Sequence, residues 1–208
     1  MLKKFETLGL FPVPVIKIKF EDHYKYNFPE VEKKDQKPDS WMDSVQTTYP
    51  NIHDDDLVVS SMIRDSLKID LKSSIVEVFE QLNLPTDIGY SNFWYNIYHD
   101  NQGQEKHDHL GSVGAPLPFW SGIYYNKNTS PTMFYRYDTI YKTHLFDGVE
   151  DSSIAPFWGS TFSPSVEDGD ILLFPPYLVH SVESNLEHKD IMRMTFSFNL
   201  NLTPSFLK

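Results

Sequence analysis

Residues 167–180 read EDGDILLFPPYLVH, and this stretch carries the clearest signal of the fold. Turn-forming residues at 167–170 precede the apolar run from Ile171 to Phe174, and two prolines then end the run. A short apolar segment between turn signals predicts a buried β-strand. His180 follows this strand, and a histidine just past such a strand lies at the mouth of a β-barrel, where small-molecule sites tend to form.

Further short strands are expected along the chain. We predict strands at residues 92–98, 121–126, 171–174 and 194–202, with a strand pair within 133–145 and a proline-containing edge strand over 8–20. Short strands joined by Gly, Asn, Asp and Pro turns favour a mainly β fold of the jelly-roll or sandwich type over an α/β sheet. Helical spacing of apolar residues predicts one supporting helix over 65–82, ended by Leu84-Pro85.

The chain is expected to form a single domain over residues 1–208. Its 208 residues are 40% hydrophobic, which is enough for one sizeable core. Residues 1–90 would supply the N-terminal strand, a polar flap at 23–50 and the helix. Residues 91–208 would form the β core, with a long mixed insertion at 147–164 that could cover a site.

Charge and composition exclude several classes of function. The formal net charge of −11 argues against a nucleic-acid partner, and the absence of cysteine excludes disulfides, thiolate metal sites and cysteine nucleophiles. The N-terminus lacks the apolar region of a signal peptide, and no run is long enough to span a bilayer. We therefore expect a cytoplasmic protein without a membrane partner. Lysine-rich, arginine-poor usage fits a viral or marine bacterial origin, with the host cytoplasm as the location if viral; a homodimer is left open.

Two histidines at 107 and 109 form the first candidate site. If His107 lies on a strand, alternation puts His109 on the same face and Asp108 on the opposite one. With His180 they make three nitrogen ligands, a set that suits Fe(II), Zn(II), Cu(II) or Ni(II) better than Ca or Mg. Many non-haem iron oxygenases use two histidines and a carboxylate, so Asp108 is the alternative second ligand. We expect His109, and a distortion of the strand at that point could reverse the choice.

Arg193 is the second candidate, at the head of the strand that reads RMTFSFN over 193–199. Thr195 and Ser197 share its face, so that a guanidinium and two hydroxyls could converge on one carboxylate. The phenol of Tyr125 can supply another donor. Seven aromatics are expected to fill the core or line a cleft: Phe134, Tyr135, Tyr137, Tyr141, Phe157, Trp158 and Phe162. The remaining histidines are expected on the surface: His23, His53, His99, His144 and His188.

Over residues 93–200 the chain resembles the 2-oxoglutarate and Fe(II)-dependent oxygenases of the prolyl-hydroxylase-like group, and most closely the small oxygenases of marine bacteria and phages. The matching pieces, in order, are WYNIY at 94–98, the histidine pair, SGIYY at 121–125, GDILLFP at 169–175 before His180, and 193–199. The resemblance implies a double-stranded β-helix, also called a jelly roll or cupin-like fold. It also implies Fe(II) as the metal and 2-oxoglutarate as the cosubstrate.

Site residues follow from the same resemblance. His107 and His180 match iron ligands, and Arg193 matches the residue that binds the distal carboxylate of 2-oxoglutarate. Tyr125 matches a tyrosine that donates to that carboxylate, while Tyr98 and Ser197 match nearby cosubstrate contacts. The wider superfamily has an H-x-D pattern where this branch has H-x-H, and a site of three histidines carries one less negative charge.

The resulting hypothesis is a dioxygenase, most simply a hydroxylase, that uses O2 and 2-oxoglutarate to oxidise a C–H bond of a small-molecule or peptidyl substrate. One alternative is a cupin-like dioxygenase with three histidines and no keto acid, in which Arg193 would be dispensable for turnover. The other is a non-catalytic jelly-roll binding module, in which a metal would support folding without oxygen consumption.

Overall fold

A computed structural model describes residues 5–10, 13–28, 45–49, 61–99, 102–111, 117–127, 132–136, 161–184 and 192–203. The strands are β1 (Phe5–Leu10), β2 (Val13–Lys19), β3 (Gln46–Thr47), β4 (Ile88–Tyr98), β5 (Gln104–His107), β6 (Trp120–Lys127), β7 (Thr132–Tyr135), β8 (Thr161–Phe162), β9 (Asp170–Phe174), β10 (His180–Val182) and β11 (Arg193–Leu202). A short 3-10 helix covers Glu21–Lys25, and the α-helix α1 covers Ser61–Gln81.

The strands form two antiparallel sheets. The larger has the order β1-β2-β9-β6-β11-β4-β3 and the smaller the order β5-β10-β7-β8. A core cluster joins them, because Phe134 of the small sheet packs with Ile123, Tyr125 and Phe174 of the large sheet. The fold is therefore a mainly β double-stranded β-helix, as the sequence predicted.

The helix α1 belongs to the core on the other face of the large sheet. Its residues Leu67, Leu71, Ile75, Val78 and Phe79 are fully buried and share a cluster with strands β2, β4, β6, β9 and β11. The predicted helix is confirmed, although it begins four residues earlier than the spacing indicated. It ends where Asn83 adopts a left-handed φ of 55°, and the Leu84 N–H donates to the Phe79 carbonyl at 2.8 Å.

Alternation along β11 separates the helix side from the site side. Met194, Phe196 and Phe198 point into the cluster that contains α1. Arg193 and Ser197 alternate with them and therefore face the small sheet. One strand thus anchors the core with one set of side chains and supplies polar groups to the interior of the sandwich with the other.

The predicted edge strand over 8–20 is wrong in its extent and position. The structure has two strands there, and β2 lies between β1 and β9. Pro14 is tolerated in β2 because the pairing with β9 covers only the register from Ile16 to Lys19. The missing N–H of the proline therefore removes no bond to β9.

His23 is also not the surface residue that was expected. The 3-10 helix packs it beside Gly169, and its Nδ1 lies 2.6 Å from the Tyr124 hydroxyl in a partly buried site. Gly169 has a φ of +89°, which favours glycine at this turn.

Several predicted features lie outside the described residues. They are most of the flap at 23–50, the second half of the strand pair at 133–145, the insertion up to residue 160, the histidines at 53, 144 and 188, and the aromatics at 137, 141, 157 and 158. Within the described part of the chain, no helix is both long and apolar enough to cross a membrane.

Candidate functional site

Three histidines lie close together beside strands β5 and β10 of the small sheet. His107 ends β5 and His180 begins β10, and the two are direct partners in the antiparallel register. His109 lies beyond the end of β5, in a bend whose N–H donates to the Pro176 carbonyl at 2.8 Å. The expectation that one continuous strand holds both His107 and His109 is therefore wrong, because β5 ends at His107 and the chain bends at His109. The bend nevertheless brings both rings to the same place.

The three imidazoles are close enough to share one ion. One ligand atom from each of His107, His109 and His180 lies within 4.8 Å of the others. The ring centroids of His107 and His180 are 4.2 Å apart, those of His109 and His180 5.0 Å, and those of His107 and His109 5.6 Å. The site is therefore a candidate centre for a metal with nitrogen ligands.

Hydrogen bonds define the tautomers of the three rings. Nδ1 of His107 donates to the Glu105 carbonyl at 2.8 Å, and Nδ1 of His180 donates to the Leu178 carbonyl at 2.9 Å. A carbonyl only accepts, so Nδ1 carries the proton and the Nε2 lone pair is left for a metal. Nδ1 of His109 lies 2.8 Å from Oδ1 of Asn199.

Burial also keeps the rings neutral. It lowers the pKa of His107 and of His180 below the ordinary value of 6.5, and it lowers the pKa of His109 to about 4. Imidazole binds metals in its neutral form. The three rings are therefore in the ligating state at neutral pH.

Asp108, the alternative second ligand, lines the same cavity as His107 and His109 but is not part of the histidine cluster. Its side chain is exposed, and Oδ1 accepts a hydrogen bond of 3.0 Å from the Leu110 N–H. This local turn holds the carboxylate at the surface. The geometry is that of a three-histidine set, and the identity of the second ligand stays a prediction.

The second part of the candidate site is a buried guanidinium at the start of β11. Arg193 is 6% exposed and is the register partner of Tyr98, with Cζ 4.6 Å from the Tyr98 ring centroid and 5.9 Å from that of Tyr125. Its Nε and Nη1 atoms are buried without a hydrogen-bond partner among the residues that the structure describes. Buried charged donors without a partner are costly, so this arrangement fits an anionic ligand that accepts from the guanidinium.

The predicted neighbours of Arg193 divide into two groups. Tyr125 and Tyr98 flank it, with their hydroxyls 2.6 Å from Oγ1 of Thr132 and 2.9 Å from Oε1 of Gln104. Burial raises the pKa of Tyr98 to about 12 and also raises the pKa of Tyr125, so both phenols stay protonated. Ser197 lies further along the same face of β11, and its Oγ accepts from Nδ2 of Asn96 at 3.2 Å.

A cavity of about 370 Å³ adjoins the histidines. Its walls include His107, His109, Tyr49, Trp94 and Asn199, and the Tyr49 and Trp94 rings are 5.3 Å apart. The sequence reasoning missed Asn199 and Trp94 as site residues. The signal was available for Asn199, because it continues the alternation of Arg193, Thr195 and Ser197 along β11.

Comparison with known families agrees with this geometry. Residues 92–199, about half of the chain, match the family model described as "Putative 2OG-Fe(II) oxygenase". The chain belongs to this family. It is therefore an oxidoreductase of the 2-oxoglutarate oxygenase type, and its cofactors are Fe(II) and 2-oxoglutarate.

Solved structures similar to this oxygenase come from several bacteria. A prolyl-4-hydroxylase from Pseudomonas putida has 11% identity and a TM-score of 0.46, covering 78% of this chain and 73% of its own. A 2OG-Fe(II) oxygenase family oxidoreductase from Burkholderia pseudomallei has 7% identity and a TM-score of 0.47, covering 96% and 74%. AviO1 from Streptomyces viridochromogenes Tue57 has 16% identity and a TM-score of 0.49, covering 86% and 73%. Among curated proteins, none matches this oxygenase in sequence.

The residues of the oxygenase suit both cofactors. Three neutral imidazoles are ligands that Fe(II) accepts. The unpartnered Nε and Nη1 atoms of Arg193 suit a carboxylate, of which 2-oxoglutarate has two. The histidines could therefore hold the iron, and Arg193 could supply a counter-charge for the cosubstrate.

Proposed function

We propose that this oxygenase is a hydroxylase that couples oxidative decarboxylation of 2-oxoglutarate to oxidation of a C–H bond in a small-molecule or peptidyl substrate. In this proposal His107, His109 and His180 bind Fe(II). The observation that carries it is the cluster of three neutral imidazoles whose ligand atoms lie within 4.8 Å of one another. When bound, Fe(II) and 2-oxoglutarate together activate O2 and supply the oxidising power, with succinate and CO2 as products.

The cosubstrate would be oriented by Arg193. Its buried guanidinium can donate from two nitrogens to the distal carboxylate, and the hydroxyl of Tyr125 can add a third donor. Tyr98 stacks against the guanidinium and limits its rotamers. Ser197 contributes through the polar face of β11, where it is bonded to Asn96.

The substrate would enter the cavity beside His107 and His109. Its volume of about 370 Å³ suits a small molecule or a single peptidyl side chain rather than a large surface. Trp94 packs against His109 with ring centroids 5.8 Å apart, and Tyr49 packs against Trp94. These aromatic walls would orient an apolar C–H-bearing group and exclude water from it.

The two alternative functions leave Arg193 without a purpose. A cupin-like dioxygenase that needs no keto acid, or a binding module, has no use for a buried guanidinium with two nitrogens, Nε and Nη1, that lack a partner among the described residues. Such a group destabilises a fold unless a ligand compensates it. The keto-acid mechanism supplies that ligand.

The wider organisation of the oxygenase remains part of the proposal. We propose one domain over residues 1–208, with the N-terminal strand, flap and helix at 1–90 and the β-helix core at 91–208. We also propose a cytoplasmic location, with no nucleic-acid or membrane partner. Homodimer formation and the viral or marine origin stay predictions.

Succinate formation tests the proposed function. Fe(II)-loaded protein would be incubated with 2-oxoglutarate in air, and succinate would be measured by mass spectrometry. We expect iron-dependent succinate from the native protein and none from His180→Ala. The control His23→Ala removes a histidine outside the cluster and should retain activity. Absence of succinate from folded, iron-loaded native protein would refute the keto-acid mechanism.

A further inference from the structure

His109 differs from the other two histidines in how its ring is held. The Nδ1 atoms of His107 and His180 donate to main-chain carbonyls two residues earlier in the chain. Nδ1 of His109 instead contacts a side chain, at 2.8 Å from Oδ1 of Asn199 on β11. Among the three rings, His109 is therefore the one whose orientation is set by a side chain from a distant strand.

Asn199 is itself held firmly. It is 9% exposed, and its Oδ1 also accepts a hydrogen bond of 2.8 Å from Oγ of Ser121, which is fully buried. Ser121 and Asn199 are register partners on β6 and β11. Two donors thus converge on one amide oxygen, inside the large sheet and against the ring of a candidate iron ligand.

The orientation of this amide decides which nitrogen of His109 is available. With Oδ1 towards the ring, Nδ1 must carry the proton and Nε2 keeps its lone pair. With the NH2 group towards the ring, Nδ1 would become the acceptor and Nε2 would be protonated, which blocks metal binding through Nε2. The contact therefore selects the tautomer of His109 and also fixes the orientation of its ring.

We propose that Asn199 is a positioning residue that fixes the Nδ1–H tautomer of His109 and so makes its Nε2 a metal ligand. The inference rests on the proposed three-histidine centre and explains how a histidine serves at a position where the wider superfamily has aspartate. An acceptor behind a ligating histidine orients the ring and raises its basicity, and loss of such an acceptor typically costs about 10- to 100-fold in metal affinity.

The test compares Asn199→Asp with Asn199→Leu. Aspartate can only accept, so it must select the same tautomer, whereas leucine removes the acceptor. Exposed Asn27 offers matched controls, Asn27→Asp and Asn27→Leu. Co(II) would be titrated under anaerobic conditions and followed by its visible absorption bands. We expect Asn199→Leu to weaken binding about 10- to 100-fold, Asn199→Asp to bind at least as tightly as the native protein, and both controls to match it.

A second readout does not depend on metal. In metal-free protein, ¹⁵N NMR of the imidazoles reports the tautomer directly. The native protein and Asn199→Asp should give His109 protonated at Nδ1, and Asn199→Leu should shift it towards Nε2. A native His109 protonated at Nε2 would overturn the inference even if the leucine variant fails to fold.

The outcomes separate this inference from the proposed function. Native-strength Co(II) binding by Asn199→Leu, with binding lost in His107→Ala, would overturn the role of Asn199 and leave the metal centre intact. Equal loss in the aspartate and leucine variants, with thermal unfolding unchanged, would also overturn it. Absence of Co(II) binding by the native protein would overturn both.

Discussion

Replacement of Arg193 by methionine should have opposite effects on stability and on cosubstrate binding. The guanidinium is 6% exposed, and its Nε and Nη1 atoms have no partner in the described part of the chain. Exchange of a buried ion pair for apolar residues of similar size is often neutral or stabilising by about 1–4 kcal/mol, and we apply the same range to this single buried ion. Loss of the contact with the Tyr98 ring, at 4.6 Å, costs about 0.5–2 kcal/mol. Mid-range values leave a gain of about 1 kcal/mol in the ligand-free protein.

Binding of 2-oxoglutarate should change in the other direction. Without the guanidinium, the carboxylate would be buried without a counter-charge, and removal of one partner of a buried ion pair costs about 3–5 kcal/mol. Since about 1.4 kcal/mol corresponds to a factor of ten, the affinity should fall by about 10²- to 4 × 10³-fold. The same substitution thus removes an unpaired buried charge from the free protein, which stabilises it, and removes the counter-charge of the carboxylate from the complex, which weakens binding.

Thermal unfolding with and without 2-oxoglutarate, in anaerobic Fe(II), measures both effects. The ligand should raise the Tm of the native protein and leave that of Arg193→Met unchanged, because only a species that binds the native state stabilises it. Without ligand, a gain of about 1 kcal/mol corresponds to about 2–4 °C in Tm for a domain of this size. Arg64→Met is the matched control, since Arg64 lies on α1, and it should retain the ligand-induced shift.

One result would refute the reasoning. If Arg193→Met lost more than about 2 kcal/mol without ligand and still showed the native Tm shift with 2-oxoglutarate, Arg193 would be a structural residue. The cosubstrate would then have to bind elsewhere.

Three further predictions concern the core and the site. Tyr125→Phe removes a hydroxyl beside Arg193 and should weaken 2-oxoglutarate binding about 10- to 100-fold in calorimetry, the effect of one hydrogen bond to a charged acceptor; unchanged affinity would exclude this contact. Gly122→Ala should lower the free energy of unfolding in urea by about 1–3 kcal/mol, because its new Cβ would overlap the Phe198 ring. Gly89→Ala, whose Cβ meets its nearest atom at 3.6 Å, should change it little, and equal effects would contradict the packing argument. Finally, burial lowers the pKa of His109 to about 4, so below pH 6.5 the unfolded chain binds more protons than the native metal-free protein. The free energy of unfolding of the metal-free protein, measured in urea, should therefore decrease as the pH is lowered from about 6.5 to 4. A flat profile would mean that His109 is not buried as a neutral ring.

The parts of the fold that follow from local patterns could be read from the sequence. The helix α1 has apolar residues at helical spacing, and β9 is an apolar run between a turn and a proline. The alternation in β11 correctly separates Phe196 and Phe198, on the helix side, from Arg193 on the site side. In each case the periodicity of the sequence matches the burial of one face.

Long-range and boundary features could not be read in the same way. Just after the end of β5 at His107, the Leu110 N–H donates to Oδ1 of Asp108. Such a local side-chain bond competes with strand pairing, and the sequence does not reveal which aspartate forms one. The interior position of β2 depends on its register with β9, which a proline-containing segment does not reveal. The contact of Asn199 with His109 joins β11 to a loop after β5, so no local pattern encodes it.

The choice between Asp108 and His109 shows most clearly what could not be predicted from the sequence. Strand alternation favoured His109 by an argument that the structure does not support, since β5 ends at His107 and does not reach His109. The three rings come together instead through the bend and the bond from His109 to Pro176. The expected residue and the observed cluster agree, but for a different physical reason.

An anaerobic titration of metal-free protein with Fe(II) and then 2-oxoglutarate tests the central claim most directly. The weak visible charge-transfer band of the iron–keto acid chelate would be followed in the native protein and in His109→Ala and Asp108→Ala. We predict a saturating band in the native protein and in Asp108→Ala, and a weakened or absent band in His109→Ala. A band that survives in His109→Ala and disappears in Asp108→Ala would contradict the three-histidine centre, and no band in folded, iron-loaded native protein would contradict the keto-acid site itself.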